Sequence, residues 1–260
     1  MIDDIKALVA AHELLYTWVR REFKVRYSQS LLGAIWAIMQ PLSLMVIFSL
    51  VFSLILKIPT GEIPYPPFAY VGLLTWTLFS SALGFAIPSL VNNINLVSKI
   101  RFPREILPLS AILVSLIDFA IAALVFVPML LLYRIRISPL VLFIPVVLLL
   151  QIWFTFGLAL LASAANVFFR DIRFVIPLAL QIWFYLCPII YPAELIPEAW
   201  RPLYFLNPMA VFIDSYRRLL FFHTWPDWGY LGVATVLATG LVMVSYRYFK
   251  QAEREFADVI

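Results

Sequence analysis

Apolar residues gather into six runs along this chain, at about 32–56, 68–91, 106–133, 140–168, 174–191 and 228–249. A hydrocarbon core of ~30 Å is crossed by about 20 residues of helix, so each run predicts a membrane span. The third and fourth runs are long enough to tilt or to extend beyond the lipid. Period-2 alternation is absent, and lipid offers backbone polar groups no partner, so the spans are predicted to be helices. Two further segments fit neither span nor loop. In 1–28, Ile5, Leu8, Leu15, Tyr16, Val19 and Phe23 share one helical face, while Lys6, Glu13, Thr17, Arg20 and Lys24 take the other. Such a stripe predicts an amphipathic helix lying along the membrane surface.

The second segment is 192–226, "PAELIPEAWRPLYFLNPMAVFIDSYRRLLFFHTWP". It is too apolar for an exposed loop, and prolines 197, 202 and 208 cut it into pieces too short to cross. Broken backbone at membrane depth is tolerated only where protein or a water-filled cavity surrounds it. Short re-entrant helices forming an outer gate are therefore expected, with Pro197, Trp200, Tyr204, Asn207, Pro208 and Tyr216 as its residues. A loop resting on the membrane is the plainer alternative. The predicted fold is an all-α integral membrane protein of one domain, 1–260. It has six transmembrane helices, the interfacial helix, and the re-entrant pieces between spans five and six.

Composition agrees: 63% of the 260 residues are hydrophobic and 13% charged, against roughly 25% charged in soluble domains. The chain starts with two acids and lacks a basic n-region, so no cleaved signal is expected. Thirteen of the 19 Lys and Arg residues fall on one side if both termini share it. The positive-inside rule then puts both termini in the cytoplasm, with Arg134 and Arg136 running against it. None of the eight glycines is followed by lysine, so there is no P-loop to cradle ATP. Cys187 is alone, and His12 and His223 lack a second ligand at metal spacing, so neither a metal site nor a cofactor is expected. No catalytic set stands out.

Asp118 is the acid near the middle of a span, and intramembrane acids are functional candidates by default. It is either a proton relay or a carboxylate satisfied by Ser, Asn or Tyr on a neighbouring helix. The second is favoured, because a relay needs several such groups. Trp36, Trp76, Phe79, Trp183 and Tyr185 lie within spans and are candidates to line a path, since aromatic faces stack on sugar rings; helix packing is their ordinary role. Arg20, Arg21, Lys24 and Arg26 sit where lipid phosphates lie.

The connector at 92–105, "NNINLVSKIRFPRE", is basic yet half apolar and faces the cytoplasm. Its apolar residues Ile94, Val97, Ile100 and Phe102 are more than a solvated turn requires.

In order, the chain reads "VRREFKVRYSQSLLGAIWAIMQPL", "NNINLVSKIRFPREILPLS", "ANVFFRDIRF", "PIIYPAELIP" and "LNPMAVFIDSYRRLLF". Over essentially its whole length this resembles the permease subunit of ABC-2-type polysaccharide exporters, those of O-antigen, capsule and teichoic acid. The resemblance implies a homodimer paired with two copies of a separate ABC ATPase that binds Mg-ATP. It implies a lipid-pyrophosphate-linked glycan as substrate, no nucleic acid, and residence in the bacterial cytoplasmic (inner) membrane. It makes 92–105 a coupling helix set in an ATPase cleft. Val97, Ile100 and Phe102 would pack there, and Asn92, Asn93, Asn95, Lys99, Arg101 and Arg104 would fix register. Arg170, Asp171 and Arg173 would form a second contact, and Arg20, Arg21, Lys24 and Arg26 would receive the pyrophosphate. The rivals are an ABC-2 exporter of drugs or small lipids, and a proton-coupled transporter working through Asp118.

Overall fold

The computed structural model describes residues 10–61, 63–100 and 102–256. Every regular element among them is helical. Helix α1 (His12–Tyr27) precedes α2 (Gly33–Ile55), whose last turns, over Ser49–Ile55, are widened. Helix α3 (Tyr65–Ala86) opens on Pro66 and Pro67, where a missing N–H costs nothing, and it ends just before Pro88. The predicted second span therefore starts earlier and stops earlier than its apolar run. The connector follows as two short pieces, α4 (Ser89–Asn92) and α5 (Ile94–Lys99).

Helix α6 (Ile106–Ala123) continues after a break as α7 (Phe126–Leu132), and α8 (Ile144–Phe168) follows a single turn at Pro139–Phe143. Then come α9 (Ile172–Tyr185), the short α10 (Arg201–Tyr204), α11 (Pro208–Arg217) and α12 (Trp228–Ala252). Five helical stretches are long and apolar enough to cross a membrane: 33–55, 65–86, 106–132, 139–168 and 228–252. The fifth predicted span is not one of them. Helix α9 has 14 residues, about 21 Å at 1.5 Å per residue. The apolar run goes on to Tyr191, but Pro188 disfavours helix at the residue before it, and the chain turns there.

Helix α3 is the hub, packed against α6, α8 and α11; 72% of its apolar window is buried, against 11% for α2. Along α8 and α12 the backbones approach closely at Gly157, where a Cβ would meet Leu241 and Val242 at 3.1 Å. Helix α9 buries no residue at all, leaving Phe174, Val175, Leu178 and Ile182 on an open apolar face.

Candidate functional site

The connector is held against its own chain. Val97 is 1% exposed and packs with Leu90, Leu107, Leu160 and Phe249, and Phe102 joins that cluster from its edge. Arg104 donates to the carbonyl of Val97 at 2.9 Å and to the carbonyl of Glu253. Asn93 donates to Ser89 O at 2.9 Å, and its own side-chain oxygen accepts from Arg21 at 3.4 Å. The expected apolar docking face is therefore corrected. Val97, Phe102 and Arg104 face inward because the helix ends beneath them supply an apolar bed. The outward edge is Asn92, Asn95, Ser98 and Lys99, with Ile100 beside them. Arg101 lies outside the described residues. Arg170, Asp171 and Arg173 are exposed at the turn into α9.

Helix α1 packs along α6, and its last turn carries a buried ion pair. Arg26 binds Asp118 Oδ2, the Tyr27 hydroxyl donates to Asp118 Oδ1 at 2.7 Å, and Arg26 also reaches Ser115 Oγ at 3.4 Å. The Arg26 guanidinium stands 3.7 Å from the Phe85 ring centre. A cavity of about 130 Å³ adjoins them, with Gln40, Thr77 and Ser81 in its wall. Asp118 is thus a carboxylate satisfied from a neighbouring helix, partly by a tyrosine. Arg26 leaves the expected phosphate-receiving cluster, since its charge is engaged inside the chain. Arg20, Arg21 and Lys24 remain exposed on α1.

Between α3 and α9 runs a groove of about 450 Å³. Trp76, Ser80 and Gly84 line one wall; Arg173, Gln181, Phe184 and Tyr185 line the other. Arg173 stands at its α9-start end, 4.6 Å from the Phe174 ring centre. Of the aromatic candidates, Trp76 and Tyr185 lie on this groove. Trp36 is exposed on α2 near the Asp118 cavity. Phe79 is fully buried, with ring centres 5.3 Å from Trp76 and Trp183 and 6.0 Å from Phe154. It is a packing residue with no surface to offer a path.

The outer segment is pinned where it turns. Arg217, 2% exposed, donates to the carbonyls of Pro188, of Ile189 at 2.7 Å, of Phe68 at 3.2 Å and of Tyr191 at 3.4 Å. Its guanidinium lies 3.5 Å from the Phe68 ring centre. Gly72 makes room: a Cβ there would meet Ile189 O at 2.6 Å and Arg217 Nη2 at 2.8 Å. Trp183 donates to Asn207 Oδ1 at 3.0 Å, and Tyr216 donates to Gln151 Oε1 at 3.0 Å. Pro208 and Tyr216 are buried, Tyr204 and Asn207 half-buried, Pro197 and Trp200 exposed. An apolar hollow of about 880 Å³ lies between Trp183, Trp200, Tyr204 and Leu237. Beside Arg217, burial pushes the Asp214 carboxyl up, while Arg218 at 2.6 Å pulls it down. The sequence analysis does not single out Arg217, whose acceptors are backbone carbonyls that side-chain patterns do not report.

The model of the ABC-2 type transporter family matches residues 13–221. The chain belongs to that family. Among similar ABC-2 chains is the O-antigen export system permease protein RfbA of Myxococcus xanthus, 32% identical over the whole of both chains. A second, the O-antigen export system permease protein RfbA of Klebsiella pneumoniae, is 30% identical over 95% of each. The polysialic acid transport protein KpsM of Escherichia coli is 22% identical over 89% of this chain and 92% of its own. This ABC-2 chain is accordingly an integral membrane protein with the helical make-up of a permease.

Proposed function

We propose that this chain is the permease subunit of a polysaccharide exporter, and that it works as a homodimer beside two copies of a separate ABC ATPase. The full-length likeness to the O-antigen permeases carries the reading. Several features support the finer parts. The open apolar faces of α2 and α9 suit a second copy, which would make a wall of the groove between α3 and α9. That groove combines aromatic rings, on which sugar C–H faces stack, with Ser80, Gln181 and Arg173 as polar partners. The exposed edge Asn92, Asn95, Lys99 and Ile100 is the surface offered to the ATPase, with Arg170 and Asp171 alongside. Exposed Arg20, Arg21 and Lys24 receive the phosphates of a lipid-linked glycan at the cytoplasmic leaflet of the inner membrane, where both termini lie. Helix α9 together with the 187–191 turn completes a sixth crossing, and the exposed rim at Pro197 and Trp200 forms the outer gate above a fixed α11. ATP is hydrolysed in the partner, with its Mg-ATP bound there.

The test is a cell deleted for this chain. Surface polysaccharide should disappear, and return with a plasmid copy only while the partner ATPase keeps its phosphate-binding lysine. Export that continues with an inactive ATPase, or that follows a proton gradient, would overturn the reading.

A further inference from the structure

Where the connector meets the end of the last helix, four charged side chains converge that serve neither the groove nor the outer turn. Glu105, just ahead of α6, is 1% exposed and receives Lys250 Nζ at 2.6 Å. Lys250 also donates to Glu253 Oε2 at 2.9 Å. Arg104 engages Glu253 twice, at its backbone carbonyl and with Nε 3.9 Å from its carboxylate, while also holding the Val97 carbonyl. Below them Phe256 is fully buried, its ring centre 5.7 Å from Phe249 and 6.1 Å from Phe168. Arg104 and Glu105 thus both tie the connector to the end of α12, Arg104 across 149 residues.

Such a cluster is a poor way to gain stability, because desolvating the charges offsets most of their attraction. It is a good way to fix geometry, since its directional bonds form together in one arrangement only. One atom is left over: Glu105 Oε2 is buried without a hydrogen-bond partner. A network with an open acceptor can re-pair when a neighbouring cation shifts.

We infer that Arg104, Glu105, Lys250 and Glu253 are positioning residues forming a clasp, through which displacement of α4 and α5 reaches α6 and α12 together. The inference rests on the proposed docking of the connector's outer edge to the ATPase. A mere staple of the fold would lower the amount of folded chain and leave the coupling ratio alone.

The experiment compares Lys250→Met, Lys250→Arg and Ile100→Asp in the chain expressed with its ATPase. Three quantities are read: complex recovered, ATP turnover of that complex, and surface glycan delivered per complex. Lys250→Met should assemble and hydrolyse ATP within twofold of wild type while export per complex falls tenfold or more. Lys250→Arg should bring export back to within twofold. Ile100→Asp, on the docking edge, should instead lose the complex. Normal export by Lys250→Met, a fall matched by lost turnover or yield, or an arginine no better than methionine would each overturn the clasp. A wild-type chain that recovers no ATPase would show at the first step and overturn the docking reading, and the clasp with it.

Discussion

Among the described residues, Arg26 and Arg217 turn largely inward near opposite faces of the bundle, and their guanidinium groups are met by different means. Arg26, with its side chain 11% exposed, meets a full carboxylate on the neighbouring helix. Arg217, 2% exposed, makes its hydrogen bonds to backbone carbonyls, those of Phe68, Pro188, Ile189 and Tyr191. The first solution needs a second ionised residue and leaves both helices regular. The second leans on a broken helix: Pro188, Ile189 and Tyr191 offer carbonyls released from i to i−4 bonding, while Phe68, within α3, lends a second lone pair. The turn at 187–191 and Arg217 are therefore reciprocal: the turn solvates the cation, and the cation satisfies the turn. An ion pair is replaceable as a pair. A cation held by carbonyls has no such exchange, since removing it strands oxygens that lipid cannot satisfy.

The largest effect is accordingly expected at Arg217. Arg217→Met should cost on the order of 5 kcal/mol, as charge-assisted bonds are lost and buried carbonyls left unpaired. Thermal unfolding of the detergent-solubilised chain should show it, or the chain should fail to accumulate. Arg217→Lys should rescue little, because one ammonium cannot span carbonyls arrayed for a planar fork. A stable Arg217→Met protein would end the argument for the carbonyl clamp.

Asp118 comes next. Asp118→Ala leaves Arg26 buried beside Phe85 without its counter-charge, at a cost of about 3 kcal/mol. The double variant Arg26→Met with Asp118→Leu should return to within about 1 kcal/mol of wild type, since apolar replacement of a buried pair is often neutral. If the double variant is as unstable as the single one, the pair does more than neutralise itself. If its export is normal as well, the proton-relay reading of Asp118 goes too.

Gly72 sharpens the outer half of the comparison. A methyl there would press on Ile189 O and the Arg217 fork, so Gly72→Ala should cost ~1–3 kcal/mol, as overpacking does. The same substitution at Gly84, where a Cβ meets nothing within 4 Å, should be near neutral. Equal losses at both sites would mean that helix flexibility, and not the clamp, sets the cost.

These two regions also differ in how far the sequence reveals them. Lipid demands long apolar helices, so five of the six predicted crossings stand within a few residues. The other, the fifth in order, forms a shorter helix than its apolar run, because apolar count is blind to what Pro188 and Arg217 do together, 29 residues apart. Asp118 was legible as an anomaly, an acid in a span, and one of its partners, a tyrosine, was of an expected kind. Arg217 was not, since positive charges near helix ends are ordinary and its acceptors are backbone, which side-chain patterns do not report. The connector shows the same limit. Its amphipathic composition is visible, but which face turns inward depends on Leu107, Leu160 and Phe249 gathered from three other helices.

The smallest expected effect on stability belongs to the exposed arginines of α1, the foil to Arg26 on the same helix. Arg21 keeps 49% of its side chain open; it stands 3.8 Å from Glu22 and 4.5 Å from the Trp18 ring centre, contacts that water and salt weaken. Replacing Arg20 and Arg21 by Gln should change unfolding by no more than about 0.5 kcal/mol. Each lost cation, however, removes about 1 kcal/mol of attraction to an anionic surface. Export of the glycan should then fall several-fold while the amount of inserted chain stays level. Raising ionic strength in vesicles should narrow the gap between variant and wild type, because exposed charges are screened and the buried Arg26 pair is not. Export that stays at the wild-type rate would make Arg20 and Arg21 membrane anchors, and the phosphates would then have to be met elsewhere, by Lys24 or by Arg173, exposed at the mouth of the groove.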